Sequence, residues 1–327
     1  MSVVGSAALG VAVTPVYAAE TFNWQFGHGF PSTHPLNVRA VQVAARIKKE
    51  TGGRLNISVF PNSQLGGDTD LLSQVHSGAI DMFSTGGIIM STLVPGAGLS
   101  GVGFAFSNYQ AVWSAMDGSV GEYVRGAFAK KGLHALDKVW DNGFRETTTS
   151  TKPIRTPADF VAMKIRVPVS PLYVSLFKAL KASPTGINLK EVYTALQTGV
   201  VDGQENPLVV TDTTKFYEVQ KYCSLTNHIW DGIWIVVNAG SWQALPADLQ
   251  KVVSGAFNEM APVQRDDIAK LNASLQGSLQ KKGLKFNEVD VAPFQEEVRK
   301  AGFYNDWKKK FGAQAWDALE ASAGQLT

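Results

Sequence analysis

The sequence predicts an α/β fold divided into two lobes. Short strand patterns alternate with helical ones along the N-terminal third, and the same alternation restarts between Met163 and Pro207. The 327 residues are enough for one large or two ordinary domains.

Thr21–Gly27 reads as the first strand, running into a Gly27-His28-Gly29 loop. A helix from about Leu36 to Thr51 is preceded by Pro35 and stopped by Gly52-Gly53. Leu55, Ile57 and Val59 alternate with polar residues and give the second strand. A helix near Asp70–Ser77 and a strand at Ala79–Ser84 follow, a pattern that argues for parallel neighbours. In the second half, Lys164–Pro168 forms a strand ending at a proline, and Pro171 opens a helix that ends near Ala182. Asn188 with Glu191 has the form of a capping box for a helix to about Thr198. A strand around Val200–Asp202 then brings Gln204-Glu205-Asn206-Pro207 to the end of the sheet, where ligands of open α/β sheets sit. Pro246 to about Lys282 is helical with almost no breaker, and Val291–Leu326 reads as helices on the second lobe.

Composition narrows the function. Charged residues make up 18% and hydrophobic ones 45%, which suits a well-packed soluble globule. Thirty basic against 28 acidic residues, net +2, argues against nucleic acid, and Lys308-Lys309-Lys310 reads as a solvated helix face. Residues 1–18 carry no charge, Val3–Val13 is a short apolar run, and Val16-Tyr17-Ala18-Ala19 offers a cleavage site after Ala18 or Ala19. The run falls short of the roughly 20 residues a membrane span needs. Residues 1–19 are therefore expected to be a signal peptide, lacking its basic start, and the protein to be exported. Cys223, the lone cysteine, admits no internal disulfide, and none of the five histidines has zinc-site spacing. No metal and no cofactor are expected.

The chemistry centres on Arg166. Alternation along Lys164–Val167 puts Ile165 and Val167 on one face and Arg166 on the other, one arginine among apolar neighbours. A buried guanidinium must be paired, and its planar fork suits a carboxylate. The partner is a ligand acid or, alternatively, an internal Asp or Glu.

The chain resembles the periplasmic substrate-binding proteins of TRAP (tripartite ATP-independent periplasmic) transporters, of the family that binds dicarboxylates, sialic acid and related acids. The likeness is carried by His34-Pro35-Leu36, Thr51-Gly52-Gly53-Arg54-Leu55, the run from Phe60 to Gly66, the whole of Met163–Pro207, and Leu245–Val252. It implies a two-lobed periplasmic binding fold of the Venus-flytrap kind, with one long helix spanning both lobes and chain crossings near Asn142 and Asp231. The lobes would be residues 20–143 plus 232–271 and residues 144–231 plus 272–327. The partners implied are a small organic acid and the two integral membrane components of an ion-gradient-driven permease, and the location is the periplasm.

The resemblance places Arg166 on the carboxylate anchor and Arg145 on a second, assisting arginine; otherwise Arg145 would make a hinge salt bridge to Glu146 or Asp141. Asn206 matches a ligand-contacting position, against the plain alternative of a turn asparagine before Pro207. Asp68 would accept from ligand hydroxyls or cap a helix. Thr85 and Gly86 match cleft-facing residues in the loop after the third strand. His28 touches ligand or is an exposed loop histidine, and Trp230, with Trp234, forms an aromatic wall or core. Sialate-binding relatives carry an asparagine where this chain has Val169, and a pocket phenylalanine where it has Leu189. Both departures argue against sialate and for a uronate, an aldonate or a short hydroxy or keto acid.

Two other classes are weighed. An exported carboxylate-acting enzyme would need a nucleophile–base pair or paired carboxylates, and no such motif is found; a ligand sensor would present its closed form to a receptor. Gly96–Gly101 satisfies G-x-G-x-x-G with Asp117 downstream, but lacks the strand before and the helix after it that dinucleotide binding requires.

Overall fold

The computed structural model describes residues 20–327, so the expected signal peptide lies outside the described residues. Ten strands occur there: β1 (Phe22–His28), β2 (Leu55–Phe60), β3 (Met82–Gly86), β4 (Leu133–Ala135), β5 (Trp140–Thr149), β6 (Lys164–Val167), β7 (Ser183–Gly186), β8 (Gly203–Pro207), β9 (Tyr222–Asn238) and β10 (Lys285–Glu288). The helices that matter here are α1 (Pro35–Glu50), α2 (Asp68–Ser77), α3 (Gly87–Met90), α4 (Tyr109–Met116), α5 (Ser119–Ala129), α6 (Pro171–Ala179), α7 (Leu189–Gln197), α8 (Leu208–Thr213), α9 (Ala239–Ala244), α10 (Ala247–Lys281), α11 (Ala292–Lys300), α12 (Phe303–Phe311) and α13 (Ala313–Ala323).

The strands join in the order β2-β1-β3-β9-β5-β8-β6-β7, with β4 and β10 also on β9. Two parallel blocks, β2-β1-β3 and β8-β6-β7, flank an antiparallel centre made of β5 and β9. The 17-residue β9 pairs with β10 through Tyr222–Leu225 and with β3 through Ile233–Val237, so it serves both blocks. Register shifts occur between Asp141 and Gly143 and between Arg145 and Thr147 on β5. Gly143 has φ 101°, a conformation glycine supplies without steric cost, and such bulges bend and twist a strand pair.

Side-chain alternation splits the core between the two sheet faces. On β9, Trp230, Trp234 and Val236 join one cluster with α4, α5, α6 and α11–α13. Ile233, Ile235 and Val237 join the other, with α1, α7, α8 and α10. The 35-residue α10 packs on α1 and also on α8 and β10, so one rod spans both blocks. Buried Gln264 fastens it to β5, accepting from Asp141 N at 2.8 Å and donating to Asp141 O at 2.7 Å.

Several elements differ from expectation. The third strand begins at Met82 instead of Ala79 because residues 79–81 finish the turn after α2, with Ala79 N and Ile80 N bonded to Gln74 O. Val200–Asp202 is likewise a connection, and the strand is Gly203–Pro207. Asn188 caps α7 without a side-chain capping bond; its Nδ2 reaches Thr69 Oγ1 at 3.2 Å instead. In the tail, α11 and α12 pack on α6, whereas α13 packs on α4 and α5. The Gly96–Gly101 segment is a turn of 3-10 helix packed against Ala127 and Tyr123, and Asp117 ends α4 paired with Arg265 at 2.9 Å.

Candidate ligand-binding site

Where β3, β5, β6 and β8 converge beside β9, a cavity is lined on its polar side by Asp68, Thr85, Arg145, Arg166, Asn206 and Asp231. Phe30, Ile88, Ile89, Pro168 and Leu189 supply the apolar side. Parallel β6 and β8 end here, which is why Arg166 and Asn206 arrive together although 40 residues separate their numbers.

Arg166 is 1% exposed. Its Nε and Nη2 both donate to Ile187 O, at 2.9 and 2.6 Å, while Nη1 has no hydrogen-bond partner among the described residues. No acid forms a salt bridge with it among those residues. Burial, and then the nearby Arg145, pulls its pKa down to about 10, with Glu205 and Asp68 only partly opposing. A buried cation with an unused donor on a cavity wall can receive an anion supplied from outside the fold.

Arg145 is the opposite case. Its Nε and Nη2 fork onto Glu205 at 2.5 and 2.9 Å, Nη1 reaches Asp231 at 2.7 Å, and Nη2 also reaches Asn206 Oδ1 at 3.0 Å. Burial opposes its charge, but Glu205 and Asp231 overcome this and hold it above the ordinary value. The expected partners Glu146 and Asp141 do not pair with it. Glu146 points to the other face of β5, and Asp141 accepts from Trp230 Nε1 at 2.8 Å and Gly143 N at 2.9 Å. Arg145 thus lines the cavity with its charge already matched.

Asn206 donates to Gln204 Oε1 at 2.5 Å and accepts from Arg145, so the pairing fixes which end of the amide faces where. Asp68 is the first residue of α2, not its cap; Gly67 caps, and Asp70 Oδ2 accepts from Gly67 N at 2.8 Å. Asp68 is buried, which raises its pKa, with Arg166 and the Leu189 backbone N–H opposing. Gly86 is the last residue of β3 rather than a loop residue, and Thr85 precedes it within the strand.

Two expected contacts are not in the cavity wall. His28 is the buried end of β1, with Nε2 3.3 Å from Asn37 Oδ1, and burial lowers its pKa to about 4. Trp230 is core: its ring packs edge-on against Trp113 and Phe106 while its N–H is taken by Asp141. Trp234 is core too, beside Phe128.

Asp231 and Glu205 were missed as site residues, and Asp231 was noted only as a crossing point. The signal was present: Trp230-Asp231-Gly232 sets one acid inside an apolar strand, the same pattern that marks Arg166.

Residues 26–309 match the family described as bacterial extracellular solute-binding protein, family 7. The chain belongs to this family. It is 33% identical over 287 residues to the solute-binding protein RD1_1052 of Roseobacter denitrificans, covering 88% of each chain. The crystal structure of RD1_1052 with bound L-galactonate has a TM-score of 0.86 at 31% identity over the alignment, covering 93% of this chain and 99% of that one. The 2,3-diketo-L-gulonate-binding periplasmic protein YiaO of Escherichia coli is 32% identical over 275 residues, 84% of each chain. A TRAP periplasmic solute-binding protein from Polaromonas bound to D-erythronate has a TM-score of 0.88 at 30% identity, covering 93% and 100%. The fold is that of the two-lobed TRAP periplasmic binding proteins.

Proposed function

We propose that the protein captures a small hydroxylated monocarboxylic acid, of the aldonate, uronate or short hydroxy or keto acid class, in the periplasm and hands it to a two-component TRAP membrane permease. The observation that carries this is the unpartnered Nη1 of buried Arg166 on the cavity wall. The ligand carboxylate sits on Arg166, Asn206 and Thr85 offer further polar contacts, and Arg145 acts by keeping Asn206 and Asp231 in place. The acids bound by the relatives above are of this class.

The lobes we assign are residues 20–143 plus 232–271 and 144–231 plus 272–327, with the boundary supported by the bulges around Gly143; α13 is the part that reaches back across it. Ligand that touches both lobes binds the closed arrangement better, and that difference drives closure.

A thermal-shift panel of uronates, aldonates, keto acids, C4-dicarboxylates and sialic acid tests the reading. A ligand at 100 times its Kd adds about 2.7 kcal/mol, which moves the midpoint by several degrees at roughly 2–4 °C per kcal/mol. A shift with hydroxylated monoacids supports the proposal. No shift with any carboxylate, from protein freed of carried-over ligand, refutes it, and product formation from a bound acid would replace it with the enzyme alternative.

A further inference from the structure

Resting on that reading, we propose that Asp231 selects the ligand: beside Asp68, already expected to meet ligand hydroxyls, its carboxylate accepts from a hydroxyl group and restricts the site to acids carrying a single carboxylate.

Asp231 divides its two oxygens. Oδ2 is used twice, by Arg145 Nη1 at 2.7 Å and Asn142 Nδ2 at 2.9 Å. Oδ1 accepts from no described residue, and it lies against Gly86, where a Cβ would stand 2.6 Å away. Any side chain at position 86 would collide with this oxygen, so glycine there leaves it room beside the cavity both residues line. A carboxylate oxygen with open lone pairs on the cavity wall can accept from a donor that enters there. Asp68 lines the same cavity, is 3% exposed and accepts from the Leu189 backbone N–H; a Cβ at Gly29 would stand 2.8 Å from its Oδ1.

Charge decides what the donor is attached to. Of the two guanidinium groups in the wall, Arg145 is matched by Glu205 and Asp231. Arg166 is left to balance one carboxylate. A second carboxylate on the ligand finds no unmatched cation there and meets Asp68 or Asp231. Accepting through their carboxylate oxygens, these two acids favour hydroxyls, and where ionised they repel a like-charged group.

Calorimetric titration of the wild type, Asp231→Asn and Asp68→Asn with D-galactonate, D-erythronate, succinate and L-malate tests this. The expected result is that the wild type binds one of the two aldonates at least tenfold more tightly than either dicarboxylate. Asp231→Asn then narrows that ratio at least tenfold, by losing affinity for the aldonate and gaining it for succinate. Butyrate, which is erythronate without its hydroxyls, serves if the variants do not fold: it should bind the wild type at least a hundredfold more weakly than D-erythronate. Wild-type preference for succinate or malate, an unchanged ratio in a folded Asp231→Asn, or equal binding of butyrate and erythronate each overturns the selectivity. Such results leave the acid-receptor reading standing, provided that Arg166→Ala abolishes the binding. Silence from all of these acids refutes both.

Discussion

At the scale of single residues the site turns on two arginines that look alike in sequence and have opposite duties. Arg166 is buried with a donor to spare, whereas Arg145 is buried and saturated. Their alanine variants should therefore separate. Arg145→Ala leaves Glu205 and Asp231 buried without their cation and is expected to cost about 3–5 kcal/mol of folding stability, read from urea unfolding. Arg166→Ala removes a buried charge that has no salt-bridge partner among the described residues, and its unfolding free energy should stay within about 1 kcal/mol of wild type. Equal destabilisation by the two would show that Arg166 is a structural cation. Arg166 was legible because a guanidinium set between Ile165 and Val167 and followed by Pro168 is costly to bury unless an anion meets it there. The partners of Arg145 were not, because they lie 60 and 86 positions away and only the sheet order brings them near. Sequence proximity pointed to Glu146, which strand alternation turns to the opposite face.

Among the elements, the β5–β9 pair carries the consequence of that turn. Glu146 is buried with its Oε2 accepting from Asn227 N at 2.9 Å and no cation opposite it. Burial raises its pKa to about 8 against the opposing backbone N–H groups of Asn227 and Thr226. The folded state thus keeps this proton where the unfolded chain has lost it. Its contribution is full below the unfolded value near 4.5 and is lost as pH rises through about 8. Stability should fall across that window by up to about 1.4 kcal/mol per pH unit from this group. Glu146→Gln keeps the hydrogen bond without the charge and should flatten the slope between pH 6 and 8 in chemical unfolding; an unchanged slope would assign it to other groups. The N-termini of α2 and α7 meet across the cleft through Asn188 and Thr69. Asn188→Ala should weaken ligand binding by about two- to tenfold, matching a hydrogen bond of about 0.5–1.5 kcal/mol, mainly through faster release in stopped-flow traces. A change confined to the association rate would argue that this contact does not hold the closed form. The capping box expected at Asn188 failed: Glu191 N bonds to the Asn188 backbone oxygen, and the side chain turns its Nδ2 to Thr69, a contact no local pattern can register.

For the molecule as a whole, the strand–helix alternation and the long α10 were readable from periodicity and from proline and glycine punctuation. The continuity of the sheet was not. It depends on β9 pairing with β3 on one side and with β5 on the other, a pairing no window of sequence contains. Nor was the reach of α13 onto α4 and α5, which is set by tertiary packing of a short amphipathic helix. With β5, β9 and α10 passing between the lobes, closure is expected to be a bend centred on the bulges around Gly143. Small-angle scattering should show the radius of gyration falling when a tight ligand is added to ligand-free protein, and an unchanged radius would mean that binding occurs without closure.

The claim on which the rest depends is that Arg166 holds the ligand carboxylate, and calorimetric titration of Arg166→Ala beside the wild type tests it most directly. With the acid that gives the largest thermal shift, the wild type should bind at one site, and Arg166→Ala, still folded, should lose at least a hundredfold in affinity, in line with about 3–5 kcal/mol for a broken buried pair. Binding of the same acid by Arg166→Ala within a few fold of wild type would contradict the account.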